Sequence, residues 1–90
     1  MLRSYVISLS GKVQGVFFRR DAKQKADELG VKGFVKNGED GSLMVEAEAD
    51  EKGMVSFMSW CGSGSEQAIV ESIVITEQNV KGFTSFEIEN

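Results

Sequence analysis

The segment Gly11-Lys12-Val13-Gln14-Gly15-Val16-Phe17-Phe18-Arg19 lies between a stretch of alternating polarity and one with helical spacing. A glycine-bearing loop that leads into a helix lets successive backbone N–H groups converge, and the helix N-terminus adds partial positive charge. Arg19, at the helix start, can bring a planar fork of donors to the same point, and arginine with phosphate forms a strong, charge-assisted, often bidentate pair. The chemistry such a combination serves is capture of a tetrahedral anion, such as a phosphoryl group. Taken alone, the same residues read equally well as a connecting loop followed by a solvated arginine.

The elements that must hold this loop follow from periodicity. Residues 3–10 alternate, with Tyr5, Ile7 and Leu9 on one side and Ser4, Ser8 and Ser10 mostly on the other, which predicts a half-buried strand ended by Gly11. Phe18, Ala22, Ala26 and Leu29 recur at helical steps before Gly30, predicting a helix of about three turns. Gly33–Lys36 and Leu43–Ala49 are strand-like, and Asn37-Gly38-Glu39-Asp40-Gly41 between them has the composition of a hairpin turn. Leu43, Val45 and Ala47 alternate with Met44, Glu46 and Glu48, so one face of that strand is expected to be wet.

Asp50 is placed to cap a second helix whose buried stripe is Met54, Phe57, Met58 and Cys61, with Cys61 as core filler. Gly62–Ser65 reads as a flexible loop, Ala68–Glu77 as a strand, and Phe83, Phe86 and Ile88 fall in a last strand. The order βαββαβ with a C-terminal edge strand predicts an α+β ferredoxin-like sandwich, with two helices on one face of an antiparallel sheet. No repeat, low-complexity tract or long linker divides the chain, so residues 1–90 are expected to form a single domain.

Composition narrows the function. The 90 residues are 41% hydrophobic and 27% charged, the balance of a globular rather than a disordered chain. No apolar run is long enough for a membrane span and the start lacks a signal peptide's apolar stretch, so a cytoplasmic protein is expected. With no histidine and one cysteine, the usual zinc sets, histidine-based triads and an internal disulfide are excluded. The net charge of −4 argues against nonspecific binding to nucleic acid or anionic membrane. All three arginines lie in the first half, which is net positive, while the second half is net negative.

Several motifs fail. Cys61-Gly62-Ser63-Gly64-Ser65-Glu66-Gln67 has Gln67 where a cysteine phosphatase loop needs arginine and where a dinucleotide fingerprint needs glycine. No nucleoside triphosphate loop occurs. Lys32-Gly33-Phe34 begins like an RNA-recognition strand, but Val35, Lys36, Asn37 and Glu39 break the later positions, so nucleic acid is not an expected partner.

Leu9-Ser10-Gly11-Lys12-Val13-Gln14-Gly15-Val16-Phe17-Phe18-Arg19 closely resembles the acylphosphatase signature, and Gly33-Phe34-Val35-Lys36-Asn37-Gly38-Glu39-Asp40-Gly41-Ser42 resembles that family's second one. The two occur in the family's order and spacing, and the resemblance extends over essentially the whole chain. Where the family pattern usually has valine and glycine this sequence has Leu43 and Ala49, and the loop after the second helix lacks a frequent Gly-Pro; these are structural positions.

The resemblance implies metal-independent hydrolysis of the carboxyl-phosphate bond of small acyl phosphates, with inorganic phosphate as product, no cofactor and no metal, by a monomer. It further implies that backbone N–H groups from Gln14, Gly15, Val16, Phe17, Phe18 and Arg19 hold the phosphate. The Arg19 guanidinium would bind it and stabilise charge in transfer, and the Asn37 amide would orient the attacking water. A mixed anhydride has a good leaving group, so positioning and electrostatics suffice without a strong base or covalent nucleophile. Asn37 by itself reads as a turn residue. The alternative from another class is a noncatalytic phosphate-binding or regulatory domain that keeps the Arg19 cradle.

The neighbours of the loop carry ordinary expectations. Arg20 follows Arg19 by one helical step of about a hundred degrees and is expected to meet solvent. Lys12 and Lys36 are expected on the solvated surface, and Phe17, Phe18 and Phe34 in the core.

Overall fold

The computed structural model describes residues 1–89. Its strands are β1 (Leu2–Lys12), β2 (Lys32–Asn37), β3 (Leu43–Asp50), β4 (Ile69–Gln78) and β5 (Phe86–Glu89), and its helices are α1 (Phe18–Leu29) and α2 (Glu51–Ser63). The strands form one sheet in the order β4-β1-β3-β2-β5. β1 is antiparallel to both β3 and β4, and β2 and β3 form an antiparallel hairpin. β5 is parallel to β2, with Gly33 opposite Phe86 and Lys36 opposite Glu89, so the edge strand makes an otherwise antiparallel sheet mixed. This is the ferredoxin-like arrangement.

The helices form where their apolar stripes match the sheet. α1 buries Phe18, Ala22 and Ala26 and stops at Gly30, whose left-handed backbone directs its N–H to the Ala26 carbonyl. α2 begins at Asp50, whose carboxylate accepts from the Gly53 N–H at 2.9 Å. α1 lies over β2 and β5, and α2 over β3, β4 and β1. Ile7, Leu9, Val35, Leu43, Val45 and Ala47 from the sheet meet Phe18, Met54, Phe57 and Cys61 from the helices in one core. Leu43 and Ala49 are both buried there, so the two departures from the family pattern fill core positions. Burial pushes the Cys61 thiol up to about 12, which makes it inert packing.

The polar face of β3 is not wet. Glu46 and Glu48 are both buried, because the chain after β4 folds back across that face. The Glu48 carboxylate accepts the N–H groups of Lys81 (2.8 Å), Gly82 (2.9 Å) and Phe83 (3.2 Å). Glu46 accepts from Gln78 Nε2 at 2.8 Å and Lys81 Nζ at 2.9 Å. Burial alone would raise both acids, but these donors outweigh it and hold both below the usual glutamate value. Phe83 therefore lies in this strap rather than in β5, where it stands edge-on to Phe34 at 6.0 Å.

Candidate active site

The loop between β1 and α1 is fixed at three points. Val13 and Val16 are buried, anchoring it to the core. Gln14 Nε2 donates to the carbonyls of Gly38 (2.9 Å) and Ser42 (2.8 Å), which ties it to the β2–β3 turn. Ser65 Oγ, buried after α2, donates to the Val16 carbonyl at 3.0 Å. Ser65 thus belongs to a well-placed support rather than to a flexible linker, and α2 runs on to Ser63.

Between these anchors Gly15 (φ 71°) and Phe17 (φ 60°) both adopt left-handed conformations. Glycine does so freely, whereas a bulky residue there stores about 1–3 kcal/mol of strain. Alternate left-handed residues curve the chain so that its N–H groups turn into one concavity, the geometry of an anion nest. Among the described residues no loop hydrogen bond uses the N–H of Gly15, Val16 or Phe17. No side chain caps α1 either, in contrast to Asp50 on α2. The loop's backbone donors and the start of α1 are therefore left without these bonds beside the cleft that Gly15, Phe17 and Phe18 line.

That cleft has a volume of about 280 Å³ and is lined by Val13, Gly15, Phe17, Phe18, Arg19, Arg20, Asn37 and Ile88. It brings Arg19 and Asn37, separated in sequence by most of α1 and β2, to one site. Arg19 Nη1 donates to the Glu89 carbonyl at 2.9 Å, so the C-terminal strand sets the guanidinium's position. Asn37 is the last residue of β2, and its Oδ1 is buried with no hydrogen-bond partner among the described residues. A buried acceptor of that kind beside a cleft is open to a donor supplied by water or a bound molecule. The turn beyond it is stiffened by Asp40, which accepts from the Ser42 N–H (3.1 Å) and Ser42 Oγ (2.5 Å). The Ser42 hydroxyl and N–H hold the Asp40 carboxyl below its ordinary value.

Of the residues expected in the cradle, Gly15, Phe17, Phe18, Arg19 and Asn37 line the cleft. Gln14 and Val16 direct their side chains away from it, to the hairpin and to the core, so only their main chain can serve it. Phe17 departs from the core position expected of it: its left-handed backbone turns the ring outward, and it is 59% exposed. Arg20 is exposed but also borders the cleft, with its guanidinium 4.4 Å from the Phe17 ring centroid and Nε 3.1 Å from Asp21 Oδ1. Ile88 and Ser65 are structural contributors that no local pattern in the sequence marks. Gln14 and the Asp40–Ser42 turn at least carry a sign, a long amide in a glycine loop and an aspartate two residues before a serine.

The arrangement matches known proteins over its full extent. The acylphosphatase family model matches residues 5–88. This chain belongs to the acylphosphatase family. An acylphosphatase from Nocardioides sp. is 38% identical over 88 residues, 97% of this chain and 89% of that protein. An acylphosphatase from Shewanella amazonensis is 41% identical over 76 residues, 84% of each chain. The crystal structure of acylphosphatase from Bacillus subtilis superposes with a TM-score of 0.94 at 36% identity, covering 100% of both chains. Acylphosphatases are hydrolases, and the fold of this chain is that of the family. No helix among the described residues is long and apolar enough to cross a membrane.

Proposed function

We propose that the protein hydrolyses the carboxyl-phosphate bond of small acyl phosphates at the cleft between the β1–α1 loop and the end of β2. The observation that carries this reading is the meeting of Arg19 with the unpartnered buried Asn37 Oδ1 in one cleft beneath an uncapped helix N-terminus. The phosphoryl group sits against the N–H groups of Gln14 through Arg19, and the Arg19 guanidinium neutralises the charge that accumulates on its oxygens. Asn37 Oδ1 accepts one hydrogen of a water and holds the water's lone pair toward phosphorus.

The water oxygen then bonds to phosphorus as the bond from phosphorus to the carboxyl oxygen breaks. The acid leaves as carboxylate with the bonding electron pair, and the water's proton passes to a non-bridging oxygen of the same phosphoryl group. An amide cannot serve as a base near neutral pH, and with so good a leaving group none is needed. The smallness of the cleft supports a small substrate, and the residues assigned here supply positioning and charge without a metal.

Hydrolysis of benzoyl phosphate in oxygen-18 water tests the reaction. Label in inorganic phosphate is expected; label in benzoate would mean attack at carbon and would contradict the role given to Asn37. Retained phosphate binding with no turnover would reduce the site to a noncatalytic phosphate-binding domain.

A further inference from the structure

The two edges of the sheet are built differently. β5 is four residues long with Glu87 and Glu89 at alternate positions, a short charged edge of the kind that discourages further pairing. β4 has ten residues, pairs with β1 on one side and, among the described residues, with no strand on the other, and contains neither lysine nor proline. Its centre, Ser72-Ile73-Val74-Ile75-Thr76, carries no charge, and Ile73, Val74 and Ile75 are 36%, 58% and 43% exposed. A long edge with an apolar centre and unprotected backbone groups is a template for another strand.

The sequence of β4 says which strand. Glu71-Ser72-Ile73-Val74-Ile75-Thr76-Glu77 reads nearly the same in both directions about Val74. We propose that β4 pairs antiparallel with β4 of a second copy about a two-fold axis at Val74, joining two sheets into one. In this register Val74 meets Val74, Ile73 meets Ile75 and Ser72 meets Thr76. Ile73 and Ile75 lie opposite Leu9 and Ile7 in β1, both core residues, so the four isoleucines of the pair extend the two cores toward each other. Centring one residue earlier or later sets an isoleucine against a glutamate instead.

The cost of the Val74 register is that Glu71 of one copy faces Glu77 of the other. Arg3 already holds Glu77 at 2.7 Å, which offsets part of the charge that Glu71 would meet. Hydrogen bonding outside the sheet in this way is specific but small. A contact limited to one strand per copy falls near or below the ~1,200 Å² at the lower end of stable interfaces, so the association is reversible and concentration-dependent. The monomer expected from the sequence is then the dilute form. β4 lies at the opposite edge from β5, whose Ile88 lines the cleft, so the dimer leaves the cleft open.

Sedimentation over about 10 µM to about 1 mM protein tests this, a range that brackets a weak interface. The weight-average mass should rise from 9.9 kDa toward twice that value. Val74→Lys should stay at one chain's mass throughout, with unchanged circular dichroism and unchanged hydrolysis per chain. The register is read by cross-linking: in Val74→Cys, two thiols across the axis should close to a disulfide as diamide takes up their two electrons and two protons. Ile69→Cys, at a position 59% exposed, should not, because its two copies would stand about 34 Å apart. Cys61 is fully buried and stays silent in both. A wild type that remains at one chain's mass to the highest concentration, or equal cross-linking of the two variants, would overturn the proposal.

Discussion

Replacing Asn37 with alanine separates the water-positioning role proposed for it from any work in the fold, because the two have opposite signs. Asn37 Oδ1 is buried and accepts no hydrogen bond from the described residues, so it is a liability to the folded state. An acceptor in that condition costs about 1–3 kcal/mol, and a water that fills the position recovers most of it at up to about 2 kcal/mol of immobilisation. Alanine deletes that acceptor. Stability is expected to be unchanged or to rise by up to about 1 kcal/mol, which is about 4–8 °C in Tm for a domain of this size. Turnover should fall by about 10²–10³, the scale for loss of one preorganised hydrogen-bonding group in an active site. KM and the affinity for inorganic phosphate should change little, since in the proposed site the phosphate is held from the β1–α1 side. Thermal unfolding, kcat and KM with benzoyl phosphate, and phosphate binding by calorimetry measure the three quantities. A Tm lowered by more than about 4 °C, or parallel losses of affinity and rate, would show Asn37 to be a turn or binding residue and refute the water-positioning argument.

Gln14→Ala removes both bonds between the loop and the hairpin, at about 0.5–1.5 kcal/mol each, so Tm should drop and KM should rise more than kcat falls. Steady-state kinetics beside a melting curve check both effects. The acids under the strap predict a pH dependence: Glu46 and Glu48 titrate lower folded than unfolded, so their stabilisation is complete above the ordinary value of 4.5 and is lost as pH falls through their folded values. Denaturant midpoints between about pH 7 and pH 3 should therefore fall, and Glu48→Gln should be less stable at neutral pH but flatter in acid. A midpoint for Glu48→Gln that tracks the wild type at every pH would contradict the role of the three N–H donors.

Local order was readable because it is written locally. The stripe of Phe18, Ala22 and Ala26 before Gly30 specifies α1, and the glycine-rich turn after Asn37 specifies the β2–β3 hairpin. Alternation in β3 correctly separates Leu43, Val45 and Ala47 from Glu46 and Glu48, but it says nothing of what later covers the second face. That depends on contacts more than thirty residues away, from Lys81, Gly82 and Phe83. β5 is recognisable as a strand, yet its parallel pairing with β2 is a property of the path of the chain.

The site was legible unevenly for the same reason. Glycine, helix start and arginine suggest an anion cradle from their own chemistry, whereas Asn37 is an ordinary turn residue until β2 carries it to Arg19. Phe17 was misplaced because residue type predicts burial and cannot anticipate a left-handed backbone that turns a ring outward. Arg20 is at the mouth because that ring offers its guanidinium a face.

The central claim is that Arg19 and the β1–α1 loop bind and activate the phosphoryl group without a metal. The most direct test follows the ultraviolet absorbance of benzoyl phosphate in the presence of a chelator, with wild type and Arg19→Ala side by side. Rapid loss with the wild type alone, the variant being folded but unable to bind phosphate, is the predicted result. Equal turnover by a folded Arg19→Ala protein, or wild-type turnover that the chelator abolishes, would contradict the account.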